Sequence, residues 1–425
     1  MKTKFLAGVI ATCFAAPVLA QSNVTVYGIL DAGIVHNKDG QTKIASGIAD
    51  GSRLGFKGTE DIGGGYKAIF NLEARIELDT GTQKPGLVND NQGLYLTKGM
   101  GALPAPILAG VRSAFQPKGG PAVNLEGALF DRTAMVGLIT PGGAVLVGRM
   151  YTPGYEVFAA SDVFESGTAG TWGGITGGTA GFTALGADIR SQKSIQYRIA
   201  TPQGVGASIM YGAKGSGYLG RYNKFVGTAV TYKANGIDAG FGFNRGYDQH
   251  DNISLTTYTL GGSYTYGDFK WFLGFHDQKN LHSVLLDEYI AGWDISIAPS
   301  LTALAGAPTA AALRNGVFVP NITKNTQVDA SSVQFGMHYR TGAGRIMASV
   351  AHQNDRTASN SDATQYAIGY DHNLSKRTDL FTVVGYIKNS NDGQYSPSTA
   401  GAPGGFVKTP GDTGQAIQLG IRHRF

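Results

Sequence analysis

The stretch Gly414–Phe425, GQAIQLGIRHRF, has a period of two. Counting back from Phe425, His423, Ile421, Leu419 and Ile417 fall on one face, and Arg424, Arg422, Gly420, Gln418 and Ala416 on the other. That alternation is a strand with one apolar and one polar side. In a soluble sheet, a strand ending flush on an aromatic residue would leave a sticky edge. It fits the closing strand of a barrel whose outer face meets lipid, so the chain must also supply a first strand to pair with it and an even strand count.

Composition narrows the class. Met1–Ala20 has the form of a secretory leader: Lys2 and Lys4 start it, Phe5–Pro17 is mostly apolar, and Val18-Leu19-Ala20 offers a cleavage site. Residues 21–425 are then expected to form one barrel domain. The single cysteine, Cys13, lies in the leader and reads as apolar filler. Without it, residues 21–425 hold no thiol nucleophile, thiolate metal site or disulfide. Removing Lys2 and Lys4 leaves 33 basic against 30 acidic residues, a net +3, so a functional field must come from local arrangement and no nucleic-acid partner is expected. Charged residues make up only 15% of the chain, and 63 residues are glycine. Both depart from soluble domains, at roughly 25% charged and 7% glycine. After the leader no run of about 18 apolar residues occurs, which leaves a barrel as the membrane option.

Taken in order, the chain offers sixteen strands. They are Val24–Val35, Ser52–Glu60, Tyr66–Leu78, Ala128–Thr140, Ala144–Met150, Ser191–Thr201, Gly204–Lys214, Lys224–Ala234, Gly236–Arg245, Ser254–Tyr266, Phe269–Gln278, Ala330–Thr341, Arg345–Asn354, Asp362–Asn373, Asp379–Asn389 and Gly414–Phe425. Seven connections are tight and the others mostly long, the arrangement of short turns on one rim and long loops on the other. All fourteen prolines after the leader fall in connections, as a residue that cannot donate to a ladder should. A sixteen-stranded antiparallel all-β barrel encloses an aqueous lumen. Strict alternation places Arg53 and Lys57 opposite Leu54 and Phe56, and Glu73 and Arg75 opposite Phe70 and Leu72, hence inward. Tyr27, Tyr66, Tyr370 and Phe425 read as girdle residues at the membrane interfaces.

The opening VTVYGILDAGI, the block SRLGFKGTEDIGGGYKAIFNLE (Ser52–Glu73), VGR at Val147–Arg149 with YTPGYEVF after Met150, the turn DHNLSKRTDL (Asp371–Leu380) and the terminal GIRHRF resemble the trimeric general porins of Gram-negative outer membranes. The resemblance implies a homotrimer set among lipid and lipopolysaccharide, passing small hydrophilic solutes and ions with a mild anion preference and needing no cofactor or metal. It implies that the third long connection, Tyr151–Arg190, folds into the lumen as a constriction loop. Glu156, Asp162 and Glu165 on that loop would face a basic wall of Arg53, Lys57, Arg75, Arg132 and Arg149, and Glu73, counted with the acidic residues of the constriction, is inward and close in sequence to Arg75. Arg132 and Arg149 enter by the resemblance alone, since each shares parity with apolar neighbours. The plainer alternative is that these charges solvate a wet lumen or form structural pairs.

Two connections depart from the family pattern: one contains LPAPILAGVRSAFQPKGGPAV (Leu103–Val123), the other AGWDISIAPSLTALAGAPTAAAL. The first is expected to form no continuous helix and to pack on a neighbouring subunit or over the pore mouth. No zinc-ligand spacing, P-loop or G-x-S-x-G motif occurs, so a channel rather than an enzyme is expected. Two alternatives remain open: a channel specific for a sugar or organic anion, and a surface adhesin acting through the long loops.

Overall fold

The computed structural model describes residues 23–38, 40, 42–83, 91–114, 128–176, 189–217, 220–399 and 406–425, so the leader reading lies outside the described residues. The strands are β1 Asn23–Asn37, β2 Lys43–Ser46, β3 Arg53–Gly63, β4 Tyr66–Arg75, β5 Thr133–Thr140, β6 Gly143–Tyr151, β7 Arg190–Ala200, β8 Val205–Gly212, β9 Lys224–Ala234, β10 Ile237–Tyr247, β11 Ile253–Tyr266, β12 Phe269–Asn280, β13 Val328–Thr341, β14 Gly344–Asp355, β15 Ala363–Asn373, β16 Thr378–Asn389 and β17 Gly414–Arg424. All but β2 form a closed antiparallel ring of sixteen, with β1 paired to β3 on one side and β17 on the other. Strand β2 is a short ribbon on β1 that the alternation missed, because the first connection folds back along the wall there.

Closure follows the expected pairing, from Ile29 opposite Arg424 to Asn37 opposite Ala416. Gly28 and Phe425 exchange both backbone hydrogen bonds, at 3.2 and 3.1 Å, and the Phe425 ring occupies the space that a Cβ at Gly28 would fill. The pleat sorts the closing strand as its sequence does: Ile417, Leu419 and Ile421 are 52, 56 and 48% exposed, whereas Gln418 and Arg422 are 1 and 5% exposed. The first set faces lipid and the second the lumen. Asn235 and Gly236, with φ of 53° and 79°, make a tight two-residue hairpin turn between β9 and β10.

Two expected strands end differently. Tyr66–Leu78 stops at Arg75 and Ala128–Thr140 begins only at Thr133. Asp131 accepts the Arg75 backbone N–H at 2.8 Å, which turns both chains out of the ladder. The long connections also hold helices that a period-two search cannot register. Residues 105–114 form a ten-residue helix where no continuous helix was expected, since Pro104 and Pro106 lie at its start, where a helix needs no N–H donors. The second unusual connection is a helical train, Leu286–Ser296, Ala298–Ala305, Ala307–Leu313, Arg314–Phe318 and Val319–Asn325, with prolines opening three of its members. Among the described residues no helix is long and apolar enough to cross a membrane.

Because closure rests on the last strand, deleting Phe425 or replacing Leu419 with Arg should remove folded barrel. An arginine on the lipid face near mid-bilayer costs about 2–4 kcal/mol. Heat-modifiable migration in gel electrophoresis reads the outcome: both variants should lose most of the folded band.

Candidate pore constriction

The connection between β6 and β7, described for 152–176 and 189, turns into the barrel. Thr152 caps the helix Pro153–Ser161, its hydroxyl accepting the Tyr155 N–H at 3.3 Å, and Pro153 opens the first turn. The inward face of the wall beneath is a track of glycines, one or more on most strands from β9 to β16. A Cβ at Gly242 would stand 2.8 Å from the Gly154 Cα, and one at Gly274 would stand 2.6 Å from the Trp172 ring. Gly227 lies under Pro153, Gly336 under Val163, and Gly369 under Phe164.

Amide side chains on the same face hold the loop's backbone. Asn244 accepts the Gly154 N–H at 3.1 Å, Gln334 the Val163 N–H at 3.0 Å, and Gln418 the Ala169 N–H at 2.7 Å. Gln365 donates to the carbonyls of Ala169 and Thr171, both at 3.0 Å. These anchors went unnoticed in the sequence, although an inward Gln or Asn beside inward glycines, as in SVQFG and AIQLG, was there to be seen.

Asp162 does not line the pore. It is fully buried and spends its oxygens on the loop itself, accepting the Phe164 and Ser166 N–H groups at 3.0 Å, the Thr171 hydroxyl at 2.6 Å and the Trp172 N–H at 3.2 Å. Burial raises its carboxyl above the ordinary aspartate range, opposed in part by those donors, first among them the Thr171 hydroxyl. Periodicity carries no information about such a turn, so the acidic-lining assignment of Asp162 is withdrawn.

On the wall, Arg53 donates to the Gly51 carbonyl at 2.7 Å and to Asp50 at 3.3 Å. Arg132 lies just before β5, where the chain has left the ladder, and turns inward to Glu73 at 2.6 Å and the Tyr151 hydroxyl at 3.3 Å. Glu73 thus belongs to the basic wall as its counter-charge, not to an opposing acidic side, and also accepts the Tyr27 hydroxyl at 3.0 Å. Tyr27 is therefore a lumen residue and not girdle. Arg149 keeps the parity of outward Val147, in register opposite Ala134, and is buried beside an irregularity whose extra residue lies in β7, so it does not join the wall. It is pinned to the Asp131 carbonyl at 2.6 Å and Gln192 at 2.7 Å. Arg75, expected to reach lumen water, is 1% exposed and ion-paired with Glu77, beyond the strand end. Lys57 is exposed, with Nζ 5.0 Å from the Tyr27 ring centroid.

Arg190 was missed as a wall residue, although alternation sets it with Gln196 and Arg198 against Ile195 and Tyr197. It donates to the Tyr151 hydroxyl at 2.5 Å and lies 4.2 Å over that ring. Glu156 of the loop helix pairs with Arg198, on the same strand as Arg190. Glu165, at φ 55°, is held by both arms of Arg345 at 2.6 and 2.9 Å; burial would raise its carboxyl, but that fork brings it to about 2. Arg345 continues through Asp371 toward Arg422, Asp379 and Asp50. A cavity of about 310 Å³ between loop and wall is lined by Asp50, Arg53, Arg132, Glu156, Glu165 and Arg190, with Tyr151 and Tyr155. Of the expected site residues, Arg53, Arg132, Glu156 and Glu165 meet there; Lys57, Glu73, Arg75, Arg149 and Asp162 do not line it.

A family model described as Gram-negative porin matches residues 6–392. Outer membrane porin protein 32 of Delftia acidovorans is 27% identical over 417 residues, covering 96% of this chain and 95% of that protein. An outer membrane porin protein of Bordetella pertussis is 25% identical over 472 residues, with all of both chains covered. Among solved structures, the anion-selective porin from Comamonas acidovorans matches with a TM-score of 0.66 at 23% identity, over 95% of this chain and all of that one.

The glycine track should tolerate no side chain. Replacing Gly242 or Gly274 with Val forces overlap with the buried loop, at a cost of about 1–3 kcal/mol if the site does not yield. The loop is expected to lift while the barrel stays folded, so single-channel conductance should rise and become noisier. Unchanged conductance in both folded variants would mean that the loop does not narrow the pore.

Proposed function

The chain belongs to the family of Gram-negative porins, and from that premise we infer which solutes its narrow part favours. It is an outer-membrane porin, a barrel through which small hydrophilic solutes diffuse down their gradients. Our reading is that Arg53, Arg132 and Arg190 make the pore mildly anion-selective.

One observation carries this preference. The carboxylates of the cavity each have an arginine of their own: Glu156 has Arg198, Glu165 has Arg345, and Asp50 has Arg53 and Arg422. Arg132 is matched by Glu73. Among the described residues Arg190 donates a hydrogen bond only to the Tyr151 hydroxyl, and no carboxylate forms an ion pair with it. The lining arginines and carboxylates are equal in number, but Arg190 stands outside any ion pair among the described residues, and a guanidinium keeps its charge at any physiological pH. Anions crossing the narrow part gain from this field and cations do not.

We further propose export through the leader Met1–Ala20, assembly as a homotrimer, and contact of the apolar outer wall with lipid and lipopolysaccharide. One fold neighbour, OmpT of Vibrio cholerae, is described in a trimer form. Several lumen side chains form ion pairs or anchor the loop, which suits a passive channel.

Replacing Arg53 and Arg190 together with Gln should move the reversal potential in a salt gradient toward cation preference. The shift should be largest near 0.1 M salt, where the screening length is about 10 Å, and small at 1 M. Replacing buried Arg75 with Gln should lower the yield of folded protein and leave ion preference unchanged. A double variant with unaltered preference at low salt would remove these arginines from the narrow part.

A further inference from the structure

The two connections that depart from the family pattern meet each other. Leu96, Met100, Ile107 and Val111 of the β4–β5 connection share one hydrophobic core with Trp293, Leu301, Phe318 and Ile322 of the β12–β13 connection. Trp293 stacks on Phe318 with ring centroids 4.1 Å apart. Asn325 ties the two connections through the carbonyls of Leu96 and Lys98, at 3.0 and 2.9 Å.

The strand order says where this core must lie. Around the ring, β5 to β12 is seven steps one way, and β4 to β13, through β1 and β17, is seven steps the other. The connections therefore leave the long-loop rim at opposite points and can meet only across the mouth. Other loops fasten the result: Tyr95 stacks on Phe406 at 4.2 Å, and Asn91 donates to the Phe406 carbonyl at 2.8 Å, both reaching the connection between β16 and β17. On the other flank Tyr289 packs against the roof core and also against a second cluster containing Met210, Tyr222, Phe225 and Leu285.

We propose that this helical roof is a second filter in series with the constriction, and that it sets the size limit for bulky solutes. The proposal rests on the reading of the chain as a diffusion channel. With the axial route roofed over, a solute must pass through the gaps between roof and rim, where its width decides entry. Charge preference remains with the arginines below, because the roof's contact faces are apolar. The apolar insert thus finds its partner in the other long loop of the same chain.

The test uses the full-length protein in vesicles, with Trp293→Ala/Phe318→Ala and Val111→Asp as roof variants. A third variant replaces 92–114 by a short Gly/Ser linker and removes half the roof outright. Heat-modifiable migration reports the barrel, and limited proteolysis reports the roof. Liposome swelling is measured from a pentose to a trisaccharide. With the roof unfastened, the trisaccharide rate relative to the pentose should rise roughly threefold or more, and the reversal potential should not move. Size dependence equal to the unaltered protein's, in a folded barrel whose 92–114 segment is gone, would overturn the roof. Vesicles in which the unaltered protein passes neither ions nor pentose would instead overturn the channel reading.

Discussion

In the hydrocarbon of a membrane, every backbone N–H and C=O must find a partner within the protein. A sheet satisfies this only when it has no edge, and here the last edge disappears where β17 meets β1, with Phe425 and Gly28 exchanging their hydrogen bonds. The other features follow from closure. A ring of sixteen strands is too wide to be filled by its own inward side chains. The chain must narrow it with segments brought in from the rim.

Those segments need room and fastening, and the inward face supplies both. Glycines let the loop's backbone and its Trp172 approach the wall, while Asn244, Gln334, Gln365 and Gln418 satisfy backbone groups that the loop would otherwise bury unpaired. Asp162 does the same from inside the loop. Asp31 repeats the device in the first connection, accepting the N–H groups of Ile48, Ala49 and Asp50, and Ile48 in turn accepts the Thr168 N–H at 2.8 Å. Part of the high glycine content belongs to this inner surface. With the loop fixed, arginines and carboxylates stand across a small gap instead of relaxing into solvent.

Strands were legible because a wall with lipid outside and water inside imposes a period of two at every position. Arg53 could be assigned to the lumen from Leu54 and Phe56 alone. Arg149 could not, since it shares the parity of outward Val147 and its burial is set by contacts with the Asp131 carbonyl and Gln192 that spacing does not show. Arg75 pointed the right way, yet its exposure depended on Glu77 lying beyond the strand, where alternation ends. Glu156 lies in the first turn of one short helix and Asp162 just past its end, but one pairs with Arg198 and the other disappears into a turn, a distinction set by backbone conformation rather than spacing. The helices over the mouth are signalled by Ala-Pro pairs at 298–299 and 307–308, which mark first helical turns and which a period of two does not show.

The central claim is that the guanidinium groups of the narrow part, with Arg190 outside any ion pair among the described residues, govern which ions cross. The most direct measurement is the reversal potential of the unaltered protein in a potassium chloride gradient, taken at mean ionic strengths near 0.1 M and near 1 M. Chloride should cross more readily than potassium at the lower strength, and the preference should shrink at the higher one as the screening length falls to about 3 Å. Preference for potassium, or a chloride preference indifferent to salt, would contradict it.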